Sequence, residues 1–105
     1  EEGESLELAA MRECQEESGV DCRQVSPLIS YPTGVDATTG PISIFKSNEF
    51  TDTGFPENNE TVSRQWFSFD DVVEMIFSGT IKHSITIVAV LAHLQRTSRR
   101  GTNSP

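Results

Sequence analysis

The chain has 105 residues, 35% hydrophobic and 23% charged, a size for one domain and a composition too apolar for a disordered tail. Sixteen acidic residues against eight Lys and Arg leave a net charge of −8, so no positive field meets nucleic acid or an anionic membrane. A phosphate-bearing small ligand stays admissible, provided divalent cations stand between it and the protein.

In chain order, Ser5 is a good N-cap behind the turn-like Gly3, and Gly19 is a good stop. A helix is therefore predicted over Leu6–Ser18, which is rich in helix-forming residues. A strand is predicted over residues 25–31. A small, polar loop follows, bracketed by Pro32-Thr33-Gly34 and Thr39-Gly40-Pro41. Partial alternation predicts a second strand over residues 42–50, and Gly54 and Pro56 mark an exposed loop over residues 51–59. A third strand is predicted over residues 62–69, with Trp66 in the core. Asp70 then caps a helix ending at Phe77, and a last apolar helix opens near Ser84.

Residues 97–105 are basic and poor in apolar side chains, which predicts a flexible tail behind a domain over residues 1–96. The fold expected is α+β, strands sandwiched by helices around a mixed sheet. Glu1 stands where a start methionine belongs, five residues before a helix pattern. The chain is therefore expected to be a fragment lacking N-terminal strands, and unstable or inactive alone because its sheet edges go unpaired.

The most apolar uncharged stretch, residues 84–92, is about half the length of a membrane span, and no secretory signal is visible; the cytosol is the expected compartment. Cys14 and Cys22 lack a zinc spacing and a histidine nearby, and read as reduced, space-filling thiols.

The chemistry concentrates in the first helix, in Arg12-Glu13-Cys14-Gln15-Glu16-Glu17. At about 100° per residue, Glu13, Glu16 and Glu17 share an arc of about 100° with Leu6 and Ala9. Like charges one turn apart repel by about a few tenths of a kcal/mol per pair. They also sit toward the C-terminal, negative end of the helix dipole. Arg12 balances one of three charges. A hard divalent cation balances the rest and reaches out to phosphates; a solvated acidic face is the alternative reading.

Glu4, seven residues, then Arg12-Glu13-Cys14-Gln15-Glu16-Glu17-Ser18-Gly19-Val20 resembles the Nudix box, G-x5-E-x7-R-E-U-x-E-E-x-G-U, where U is bulky and aliphatic. Gly3 matches a glycine common beside that glutamate. Cys14 replaces the usual aliphatic residue, and the opening glycine of the box falls before Glu1. The resemblance implies a hydrolase of nucleoside diphosphates linked to another moiety, using Mg²⁺ or Mn²⁺. By position it makes Glu13, Glu16 and Glu17 metal ligands, Arg12 an orienting ion-pair partner, Glu4 a further acidic contributor and Gly19 a structural glycine.

A weaker likeness, to ADP-ribose pyrophosphatases, runs through Ser26-Pro27, Tyr31-Pro32-Thr33-Gly34, Trp66, Phe69 and Ser78-Gly79-Thr80-Ile81-Lys82. In that subfamily a glutamate in the loop before the last strand is the general base. The matching loop holds Glu57 and Glu60, equally placed for the role, and Glu16 joins them as a catalytic candidate. The substrate expected is ADP-ribose or a nucleotide sugar, with AMP and ribose 5-phosphate the products from ADP-ribose. Nucleoside triphosphates, dinucleoside polyphosphates, or binding without hydrolysis are the alternatives. The partner expected is thus a small nucleoside diphosphate, with no nucleic acid or membrane; the resemblance leaves a homodimer of the full-length protein open. His83 and His93 are assigned no role, Lys82 stays a candidate phosphate contact, and Arg96, Arg99 and Arg100 read as solvated.

Overall fold

The computed structural model describes residues 3–32, 40–54 and 64–102, with side chains through residue 98. The described elements run α1 (Leu6–Ser18), β1 (Val20–Tyr31), β2 (Ile42–Asp52), α2 (Phe69–Phe77) and α3 (Ser84–Thr102), an α+β set as the sequence predicts. The chain falls into two compact units, Glu1–Arg64 and Gln65–Pro105.

In the first unit, α1 has the predicted bounds because both ends are written locally. The Ser5 hydroxyl accepts the Leu8 amide at 3.1 Å. Gly19 stops the helix at φ 76°, a left-handed conformation that favours glycine, and its amide donates to the Gln15 carbonyl. The chain then enters β1 at once. β1 pairs antiparallel with β2, from Val20 opposite Asp52 to Tyr31 opposite Ile42, with three register shifts, one beside Pro27. Helix α1 packs chiefly on β1 and more lightly on β2. The core is small: Val20 is 8% exposed and Leu28 4%. Burying each such side chain contributes about 1.5–3 kcal/mol.

β1 begins five residues before the predicted start. Its opening residues Asp21, Arg23 and Gln24 are polar and hide the strand from a hydrophobic reading, yet Asp21 and Cys22 pair with Thr51 and Phe50. The strand exists there because β2 takes its backbone hydrogen bonds. For the same reason β2 runs on to Asp52, into the predicted loop.

In the second unit, the Ser68 hydroxyl caps α2 by accepting the Asp71 amide at 3.1 Å. Asp70 and Asp71 sit in the first turn, where the helix dipole favours anions. The helix ends as Ser78, Gly79 and Ile81 donate back to the carbonyls of Glu74, Ile76 and Met75, with Gly79 at φ 85°. Phe69 meets the His93 ring edge-on, centroids 5.0 Å apart, tying α2 to α3.

Further expectations differ from the structure. The predicted third strand is absent among the described residues: residues 64–68 are irregular and Phe69 already belongs to α2, capped by Ser68 and not Asp70. A strand needs a neighbour for its backbone groups, and the described sheet has two strands, both antiparallel, so no mixed sheet is seen in it. Trp66, expected in the core, is 57% exposed. Helix α3 continues past residue 96 to Thr102, since extending a formed helix costs little, and the Thr97 hydroxyl donates to the carbonyls of His93 and Leu94. The predicted loop tip at residues 33–39 lies outside the described residues.

Candidate functional site

Arg12 stands at the middle of the charged cluster on α1. Its guanidinium donates to Glu4 through Nε at 3.1 Å and Nη2 at 3.0 Å, a two-point grip on a carboxylate just before the helix. Its Nη1 reaches Glu16, one turn on, at 3.3 Å. The Glu4 side chain is 15% exposed and that of Glu16 41%, so the first contact is the better shielded of the two. Hydrogen bonding from Arg12 holds the Glu4 carboxyl below the usual carboxylate range, and Glu4 in turn pushes the Arg12 guanidinium up.

The other two box glutamates face outward. Glu13 and Glu17 are both exposed, and Glu13 borders a cleft of about 270 Å³ with Leu6, Ala9, Ala10, Pro41, Ser43 and Phe45. No basic residue lies in the last turn of α1. Arg12 is the only cation in the helix, and its charge is shared by Glu4 and Glu16. Among the described residues no three His, Cys, Asp or Glu side chains are gathered closely enough to form a metal-ligand group. The donors on this face are nonetheless all carboxylate oxygens, the chemistry that suits Mg²⁺ or Mn²⁺ over softer metals.

The end of α1 is fastened to the end of β2. The Gly19 carbonyl accepts both the Thr53 amide, at 2.8 Å, and the Thr53 hydroxyl, at 2.6 Å. Gly19 thus turns the chain with its backbone and anchors β2 with its carbonyl. Next to Thr53, Asp52 takes a two-point contact from Arg64, at 2.5 and 3.2 Å, and also accepts the Gly54 amide at 2.9 Å. Both flanks of residues 55–63 therefore meet at Asp52, beside the C-terminal end of α1. Glu57 and Glu60 lie in that stretch, outside the described residues.

The structure thus joins Glu4, Arg12 and Glu16 through ion pairs. Sequence reasoning missed Thr53, Asp52 and Arg64. Asp52-Thr53-Gly54 carried a turn signal, but nothing local marks which residues such a turn grips. Gly3, at φ 84°, precedes Glu4 in a left-handed turn that glycine adopts without strain. In the second unit, the His83 ring accepts the Thr86 amide at the start of α3, a capping contact.

A family model described as the NUDIX domain matches residues 1–87 of the chain. No curated protein matches it.

Proposed function

The chain belongs to the Nudix family, whose members hydrolyse nucleoside diphosphates linked to another moiety, and from that membership we propose that it acts on ADP-ribose or a nucleotide sugar. Cleavage falls at the pyrophosphate, giving AMP and ribose 5-phosphate from ADP-ribose. The observation that carries the reading is the charge imbalance of α1. Its single arginine stands among four glutamates, and three of them, Glu13, Glu16 and Glu17, crowd into the half of the helix where the dipole is negative.

Glu13, Glu16 and Glu17 would hold Mg²⁺ or Mn²⁺. Such an ion, when bound, neutralises pyrophosphate oxygens and acidifies water. Arg12 keeps the start and the middle of the helix in register by gripping Glu4 and Glu16. Glu57 or Glu60 takes the proton from the attacking water; the support is that Gly54 and Arg64, on either side of residues 55–63, both contact Asp52, next to the Thr53 that bonds Gly19. The substrate class rests on the likeness of Ser26-Pro27 and Tyr31-Pro32 to ADP-ribose pyrophosphatases. No nucleic acid or membrane partner is proposed for so acidic a chain, and no helix among the described residues is long and apolar enough to cross a membrane. We extend the proposal to a cytoplasmic protein with its domain over residues 1–96.

The test is AMP release from ADP-ribose by the intact protein with Mg²⁺. Glu17→Gln is expected to lower kcat by about a hundredfold or more, the scale seen when one charge-stabilising group is removed. Turnover of nucleoside triphosphates in place of ADP-ribose would move the substrate class. Tight ADP-ribose binding without turnover under any divalent metal would make the domain a binding module.

A further inference from the structure

Cys14 and Cys22 lie on opposite sides of the Ser18-Gly19 turn, one on the last full turn of α1 and the other on β1. That turn folds the helix back onto the strand, and α1 packs chiefly on β1. Both thiols are free and half-buried. Both line one cavity of about 350 Å³ with Ala10, Val25, Phe45 and Ser47. The Cys14 sulfur lies 3.5 Å from the Ser18 hydroxyl, which also donates to the Cys14 carbonyl at 2.5 Å and accepts the Val20 amide at 3.3 Å. The segment between the cysteines is thus pinned by its own hydrogen bonds. Burial pushes the Cys22 thiol up, the Ser47 hydroxyl opposes that, and the neighbouring Cys14 thiol adds to it.

We propose that Cys14 and Cys22 form a reversible redox pair, oxidised by low-molecular-weight disulfides to one intramolecular disulfide that staples α1 to β1. In the first step one protein thiol attacks the external disulfide, forming a mixed disulfide and releasing one external thiol. In the second, the other cysteine attacks the protein sulfur of that mixed disulfide and releases the second external thiol. Two protein thiols lose two electrons and two protons, and the external disulfide is reduced to two thiols. The shared cavity supplies the room for the sulfurs to turn toward each other. The pinned turn raises the concentration of one thiol at the other above that in a free chain. The staple falls on the half of α1 that carries Glu13, Glu16 and Glu17, and it stands whether or not the hydrolase reading holds.

Equilibrating the intact protein across ratios of reduced and oxidised glutathione tests it. Trypsin releases both cysteines on one peptide, residues 13–23, between Arg12 and Arg23. That peptide is expected to lose the mass of two hydrogens and both alkylatable thiols together, and to recover them with dithiothreitol. The folded protein is expected to close the bridge at a glutathione ratio more reducing by about tenfold than the same protein in urea. Cys14→Ser and Cys22→Ser should each give only a glutathione adduct. Glutathione adducts in place of the bridge in the wild type, two thiols still alkylatable throughout, or equal midpoints with and without urea would each overturn the pairing.

Discussion

Helices α1 and α2 share a serine cap and differ in what else holds them. In α2 the half-buried residues Phe69, Val72, Val73, Met75 and Ile76 form an apolar stripe, with Asp70, Asp71 and Glu74 exposed, the ordinary pattern of a surface helix. In α1 the arrangement is mixed, with Ala9, Ala10 and Met11 half-buried and Glu7, Glu13 and Glu17 exposed. Leu6 and Leu8 are 64% and 55% exposed, while charged Arg12 and Glu16 are half-buried. Neither helix has a fully buried residue. The second helix is placed by hydrophobic burial. The first is placed by a cap, a glycine turn, the Thr53 latch and the Arg12 ion pairs. A helix that gives only part of its surface to the core keeps the rest for a ligand, and the carboxylates lie on this helix.

Within this comparison the largest effect comes from removing the ion-pair device of α1. Arg12→Ala leaves the shielded Glu4 without its strongest partner and releases Glu16. It is expected to lower ADP-ribose turnover in the intact protein by about tenfold to a hundredfold, as loss of an orienting partner does. Arg12→Lys should fall between, because an ammonium keeps the charge and loses the two-point grip. Equal activity of all three proteins would remove Arg12 from the account.

Next in size, Ile76→Ala in α2 should cost about 1–2 kcal/mol by denaturant unfolding, a partial share of the loss from a fully buried site. Leu8→Ala in α1, which deletes exposed apolar surface from a helix, should change stability by less than about 0.5 kcal/mol. Similar costs at the two positions would erase the contrast between the helices. The caps sharpen it further. Ser5→Ala and Ser68→Ala should each cost about 1 kcal/mol, since the same orphan amide is exposed in both. A cap effect confined to α2 would show that α1 is held without Ser5.

The smallest effect is on acid stability. The folded Glu4 carboxyl titrates below its ordinary value of 4.5 because Arg12 favours its charged form. The folded state therefore binds fewer protons there than the unfolded one. The contribution is complete above the ordinary value and is lost as pH falls through the lower, folded one. Melting temperatures of wild type and Glu4→Gln should thus differ most near neutral pH and converge in acid. A gap that persists into strong acid would point to packing instead of charge.

Much of this was written locally. Ser5, Gly19 and the helix formers between them delimit α1 whatever surrounds it, because caps and propensity act over one turn. The box spacing that names the family lies within that same short stretch. The start of β1 at Val20 was hidden because Asp21, Arg23 and Gln24 look like loop until β2 pairs with them. The stretch 64–68 failed as a strand, and Trp66 as a core residue, because alternation shows which face would be buried without supplying a neighbour to bury it. Likewise Arg12 had several acids within reach along the chain, and the fold selected Glu4 and Glu16. Thr53 became a latch only once the hairpin carried it back to Gly19. Caps, turns and charge spacing are interactions between residues a few positions apart, so the amino-acid order determines them alone. Strand pairing, burial and the partner of a long side chain depend on residues distant in sequence, and only the folded chain brings those together.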